Sequence, residues 1–256
     1  ETETQEDGSS FALLAPPILQ WTDVDHAETI ALTSGPSACH IEIKEEGSDD
    51  VRRVTNQQDG LILANETFHR IRIDQLKPGR TYEYVLVARE IFNFEQYKVT
   101  WGAELRTETY SFTTPDPDAD EVRFAVLNDL HKNTDLIHQL FEAIEARTPA
   151  PEFLMLNGDI LSHIENESDI RAIYDLPGSY ASEHPTVWIR GNHECRGRFA
   201  RYMDRYLAKP DGRYYYTFRR GPVQMLVLDC GEDKSDDHWA YSGLNDFESF
   251  RAEEEA

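Results

Sequence analysis

A β-sandwich followed by an α/β layered domain is the architecture this sequence predicts, and a change of apolar period near residue 115 is the main reason. Before it, apolar residues alternate in short runs and never sustain a helical repeat; after it, strand-like runs take turns with helical stripes. The length of 256 residues leaves room for two ordinary domains.

The N-terminal pattern is clearest where Cys39, Ile41 and Ile43 share one face and His40, Glu42 and Lys44 the other. Ile71 and Ile73 alternate in the same way with Arg70, Arg72 and Asp74. Similar runs surround Trp21, Thr29 to Leu32, Tyr82 to Leu86 and Tyr110 to Phe112, each bounded by Gly, Pro, Asn or Asp. About seven short strands in roughly a hundred residues predict a sandwich over 11–114. Pro78-Gly79 suits a type II turn, and Tyr82 then starts a strand from which its hydroxyl can bond upstream backbone and close the corner. Residues 1–10 are polar, acidic and without period, which predicts a disordered tail. Pro115-Asp-Pro117-Asp-Ala-Asp120 can neither continue a strand nor start a core and predicts a linker.

In the second domain, 121–256, Val122 to Leu127 reads as a strand. Leu136, Ile137, Leu140, Phe141 and Ile144 recur on one helical face before Pro149 and Pro151. Phe153 to Leu156 and Thr186 to Ile189 are further strands, and Phe199, Tyr202, Met203, Tyr206 and Leu207 mark a second amphipathic helix. Tyr214 to Phe218 and Val223 to Leu228 flank Gly221-Pro222 as a hairpin or strand-turn-strand, and a helix starts near Asn245. Alternation of this kind places sites at the carboxyl ends of strands.

Acids outnumber bases 48 to 25, for a formal charge of −23. That argues against a sequence-independent nucleic-acid binder, which needs Lys and Arg to neutralise phosphates, and no nucleic-acid partner is expected. It also predicts that association with an anionic substrate speeds up with added salt. No apolar run reaches the length of a transmembrane helix. Three cysteines, Cys39, Cys195 and Cys230, leave at least one thiol unpaired, so this is no disulfide scaffold, and on their own they favour a reducing compartment.

Three segments carry the chemistry: Asp129-Leu-His131, Gly158-Asp159 and Gly191-Asn192-His193-Glu194, each directly after an apolar run. Asp129 and His131, two apart in extended chain, point the same way. Asp159 has two oxygens with which to bridge two cations. Asn192 offers a neutral hard ligand, and Gly158 and Gly191 let backbone approach closely. Each fragment alone is common; their order and roughly thirty-residue spacing are what make a metal site for phosphate ester hydrolysis the expectation.

These residues resemble the calcineurin-like metallophosphoesterase family, whose ordered motifs are Asp-x-His, Gly-Asp-x-x, Gly-Asn-His-Asp/Glu, a separate His and Gly-His-x-His. The first three are present here, and the region ahead of them looks like the fibronectin-III-like domain that precedes the catalytic domain of purple acid phosphatases. The resemblance implies a fibronectin-III-like sandwich followed by an α/β metallophosphoesterase layered sandwich that is incomplete at its C-terminus. It implies two metal ions, of Mn, Fe or Zn, about 3.5 to 4 Å apart, and a bridging hydroxide that attacks the phosphorus of a small phosphorylated substrate, monoester or diester. Asp129 and His131 would hold one ion, Asn192 the other, and Asp159 would bridge them. His193 would stabilise or protonate the leaving oxygen, and Glu194 would orient that imidazole. The presence of His131 departs from purple acid phosphatases, whose first motif lacks it. Members with such a sandwich are commonly exported, which predicts a periplasmic, secreted or cell-surface protein.

Arg196 reads as a bidentate clamp on a phosphate oxygen or as a surface arginine, and His163 as a substrate-facing residue or a loop histidine. Asp229, Glu232, Asp233 and Lys234 resemble a loop of some bacterial members, with a solvated loop as the default. Cys195 has no specified base and is expected to be structural. The later histidine motifs are absent before Ala256, so the expectation is a fragment or one piece of a longer enzyme. The competing function is a catalytically degenerate adhesion protein that binds surfaces through its sandwich.

Overall fold

The computed structural model describes residues 11–174 and 178–256. The tail predicted at residues 1–10 lies outside them. The chain forms an N-terminal β-sheet region followed by a mixed α/β region, and its described residues group into two compact units, 11–116 with Gly178–Pro185, and 117–174 with 186–256. Among the described residues, no helix is long and apolar enough to cross a membrane.

In the first unit, strands β1 (Ile18–Thr22), β2 (Ala27–Glu45), β3 (Arg52–Thr55), β6 (Glu66–Ile73), β7 (Thr81–Phe94), β8 (Val99–Arg106) and β9 (Tyr110–Thr113) form one seven-stranded hydrogen-bonded network. The short strands β4 (Gln57–Gln58) and β5 (Leu61–Ile62) pair only with each other. The long strand β2 organises the network: Ala27 to Leu32 pair with β6 and Ile18 to Thr22 of β1, whereas Ser37 to Glu45 pair with β7 and, in part, β3. The alternation read from sequence becomes burial, since Cys39, Ile41, Ile43, Ile71 and Ile73 join Leu86, Tyr84 and Phe112 in one core. The Lys77 N–H donates to the Tyr82 hydroxyl at 2.9 Å, closing the corner beside Gly79 at φ +61°.

Residues 178–185 differ from the predicted boundary by packing in this first unit. The short helix Tyr180–Glu183 lies against β1 and β9. The physical reason is polar satisfaction: Tyr84 is buried, and its hydroxyl donates to the Ser182 carbonyl at 2.7 Å, while Ser182 Oγ donates to the Pro17 carbonyl at 2.6 Å.

In the second unit, β10 (Phe124–Leu127), β11 (Phe153–Asn157) and β12 (Thr186–Ile189) form a parallel sheet in that order. Helix α1 (Thr134–Glu145) connects the first two, capped by Asn133, whose side chain accepts the Leu136 N–H at 3.2 Å. Ile137, Phe141 and Ile144 form its buried stripe; Leu136, predicted to share that face, is exposed. Phe153 to Leu156 of the central strand are all buried, as a parallel strand covered on both faces requires. Helix α2 (Glu167–Tyr174) follows β11 and buries Ile170, Ile173 and Tyr174.

The helix predicted over Phe199 to Leu207 is a 3₁₀ helix, Ala200–Tyr206. Ala200, Met203 and Tyr206 are its buried residues, a spacing of three rather than 3.6, and the Phe199 ring lies tilted against Tyr202 with centroids 5.2 Å apart. Strands β13 (Tyr216–Arg220) and β14 (Val223–Val227) form the predicted hairpin around Gly221, φ +51°. Helix α3 (Phe247–Glu255) is capped by Asp246, whose side chain accepts the Ser249 N–H at 3.3 Å.

Candidate metal centre

Parallel pairing places the three sequence motifs side by side. Leu127 is opposite Leu156, and Asn157 opposite Ile189, so the strands end in register and the segments after them emerge at one edge. Pairing continues past the strands: the Asp129 N–H donates to the Gly158 carbonyl at 3.1 Å, His131 to Asp159 at 2.9 Å and Lys132 to Ile160 at 2.7 Å. Asp129, His131, Lys132 and Asp159 all lie in the left-handed region, with φ of 60°, 47°, 61° and 54°. Non-glycine residues cost of order 1 kcal/mol or more there, so four together mark a turn held open by its surroundings.

Ligand atoms of His131, Asp159 and His193 lie within 4.8 Å of one another and could hold one metal ion. The two imidazole centroids are 4.3 Å apart. Asp129 is joined to the cluster through its Oδ1, 2.9 Å from His131 Nε2. Gly158 and Gly191 supply the close approach: a Cβ on Gly158 would sit 2.9 Å from the Gly191 Cα, and one on Gly191 would collide with Asp159 Oδ1.

The Asn192 amide lies against the Asp159 carboxylate. Its amide oxygen faces both Asp159 carboxylate oxygens, at 3.3 and 3.0 Å, while its nitrogen donates to Glu232 Oε1 at 3.3 Å. Turned over, the same amide donates to Asp159 and accepts from Arg196 Nη2 at 2.7 Å, which satisfies both of its ends. The fit to a metal rests on the donor set of His131, Asp159 and His193, two imidazoles and a carboxylate whose ligand atoms converge within 4.8 Å.

Two of the expected roles change. Glu194 does not orient His193; it is fully buried and accepts three backbone N–H groups, from Asp159 at 2.9 Å, Leu161 at 2.8 Å and Gly191 at 2.9 Å. Burial pushes its carboxyl up, and those three bonds oppose the rise. The imidazole is oriented instead by the Ser162 carbonyl, 2.8 Å from His193 Nδ1, which leaves Nε2 turned elsewhere. Arg196 does not offer a bidentate fork to phosphate, because Glu232 already takes it, through Nε at 2.8 Å and Nη2 at 2.8 Å. His163 is exposed and stands outside the His131, Asp159 and His193 cluster.

The loop after β14 was expected to be solvated, yet Asp229 and Glu232 are buried. Asp229 accepts from Arg190 Nε at 2.7 Å and Glu232 grips Arg196, since each buried carboxylate needs a cationic partner. Burial raises the Glu232 carboxyl's pKa, but Arg196 outweighs it and holds the group well below the usual carboxylate range. The signal that could have found Asp229 is its position directly after an apolar run, as in the other motifs; Ser162 and Glu232 carry no such mark. Burial pushes the Cys195 thiol up to about 12, in keeping with a structural role.

The family model for calcineurin-like phosphoesterases matches residues 122–251. No curated protein matches the chain significantly in sequence. Among solved structures, purple acid phosphatase PPD1 from yellow lupin (Lupinus luteus) seeds is similar over 89% of this chain and 47% of its own, with a TM-score of 0.63. The chain therefore spans about half of that structure's length, and at 14% identity the likeness is one of fold. The sensor domain of the anti-sigma factor RsgI4 of Pseudobacteroides cellulosolvens, 14% identical, covers 41% of this chain and 74% of its own at a TM-score of 0.27, too low to carry weight.

Proposed function

The chain belongs to the calcineurin-like phosphoesterase family, and from that premise we propose that it is a metal-dependent hydrolase of phosphomonoesters or phosphodiesters. The observation that carries this reading is the convergence of His131, Asp159 and His193 from three successive strand ends. Two imidazoles and a carboxylate suit Zn²⁺, Fe²⁺ or Mn²⁺. Asp129 on one side and Asn192 on the other extend the donors toward a second ion, with Asp159 between them.

A bound ion supplies Lewis-acid polarisation of a phosphoryl oxygen and a water acidified toward neutral pH. The chain's own residues set the geometry. Glu194 fixes the backbone that presents Asp159, and the Ser162 carbonyl commits His193 Nδ1, so any chemistry at that imidazole passes through Nε2. Support for a fibronectin-III-like first domain over 11–114, linked by 115–120 to a catalytic domain over 121–256, comes from the two-sided pairing of β2 and the Tyr82 corner. Export belongs to the same reading and rests on the resemblance alone.

Hydrolysis of a chromogenic phosphate ester under Mn²⁺, Zn²⁺ or Fe²⁺ tests the proposal. Asp159→Ala and Asn192→Ala should each abolish turnover with the circular dichroism spectrum unchanged. Undiminished turnover in both would remove these residues from the mechanism.

A further inference from the structure

Arg196 has one nitrogen to spare, and it points at the candidate centre. Glu232 Oε2 takes Nε and Glu232 Oε1 takes Nη2, with Asp233 Oδ1 also accepting from Nη2 at 3.1 Å. Among the described residues no carboxylate takes Nη1, which lies 2.9 Å from His193 Nε2 and 3.3 Å from Nδ1. A nitrogen that close to both ring nitrogens stands against the imidazole and off the in-plane lone-pair direction of Nε2, so its hydrogens are not committed to the ring. The guanidinium is thus clamped along one edge by a carboxylate 36 residues away and held at the border of the His131, Asp159 and His193 cluster.

The Nη1 hydrogens therefore stay available when His193 Nε2 serves a cation or a substrate. A planar guanidinium that cannot rotate off Glu232 can give those hydrogens only to an acceptor placed at the border of the cluster. An anionic oxygen bound at the cluster meets that requirement. We propose that Glu232 is a positioning residue that aims Arg196 so that Nη1 donates one hydrogen bond to a non-bridging oxygen of the phosphate group. The contact is single, since the fork is occupied, and it deepens the phosphoesterase reading, on which it rests. Recognition therefore favours a phosphate group with an unesterified anionic oxygen on the Arg196 side.

Calorimetric binding of inorganic phosphate to the full chain loaded with Mn²⁺ is the test, with Mn²⁺ affinity measured alongside. Arg196→Ala and Glu232→Gln should each weaken phosphate about tenfold, the loss of one charge-assisted hydrogen bond, and the double variant should lose no more than either. Mn²⁺ affinity should stay within about twofold of the parent. If Glu232→Gln does not fold, the pair Arg196→Met with Glu232→Leu replaces the charges by apolar groups of similar volume and should show the same tenfold loss. Unchanged phosphate affinity in a folded variant overturns the assignment while leaving the metal reading intact. A parallel fall in Mn²⁺ affinity also overturns it, showing a merely structural role, and a parent that takes up no Mn²⁺ removes both.

Discussion

Glu194 accepts the Asp159 backbone N–H at 2.9 Å, so a fully buried carboxylate of the third motif fixes the backbone of the second. The same carboxylate holds the N–H groups of Leu161 and Gly191. Glu194→Ala should leave three buried donors without an acceptor and lower stability by about 3 kcal/mol or more. Urea unfolding checks this, and a loss under about 1 kcal/mol would contradict it.

Gly191 and Asp159 are packed so closely that a methyl group on Gly191 would also lie 2.5 Å from the Asp159 nitrogen. Gly191→Ala should therefore displace the carboxylate and weaken Mn²⁺ binding at least tenfold, beside the larger loss from His131→Ala. Isothermal titration of the two variants measures it, and parental affinity in Gly191→Ala would show that the approach of these backbones is not needed.

His69 is buried in the N-terminal unit, 2.8 Å from Ser37 Oγ. Burial keeps its imidazole neutral and lowers its pKa to about 4, against a backbone bond at Glu66 that acts the other way. Between about 6.5 and about 4 the unfolded chain binds a proton that the folded chain refuses. The contribution is complete above the unfolded value and is lost as pH falls toward the folded one, by roughly 3 kcal/mol across the window. Denaturation of parent and His69→Gln at pH 7 and pH 4.5 tests this: the parent should lose stability more steeply, and equal slopes would count against it.

Cys39 and Cys195 carry thiols that burial pushes up to about 12, whereas Cys230 is exposed. Titration of the native protein at pH 8 with a disulfide reagent should release one fast equivalent, rising to three on unfolding. Two or more fast equivalents would show that a buried thiol is accessible. Cys195→Ala should leave hydrolysis intact.

Much of the site was legible because each motif sits next to the strand that delivers it: Asp129, Asp159 and Asn192 follow apolar runs that the sequence already shows. Glu194 was legible as a member of the third motif but not in its role. Whether a carboxylate after a histidine turns to that ring or to three N–H groups depends on how near Asp159 and Leu161 come, and those residues are 35 and 33 positions away. The partner of Arg196 was hidden for a related reason, because Glu232 lies in a loop whose composition looks solvated.

The sequence by itself determined the alternating faces of β2 and β6, the corner at Tyr82 and the order of the metal motifs, because each is encoded by residues a few positions apart. Only the tertiary structure decided that the 3₁₀ spacing wins at Ala200–Tyr206, that Gly178–Pro185 packs in the first unit, and that Ser162 rather than Glu194 holds His193. Those outcomes turn on buried polar groups finding partners across long stretches of chain, and a hydrogen bond is made or lost within tenths of an ångström that local pattern does not specify.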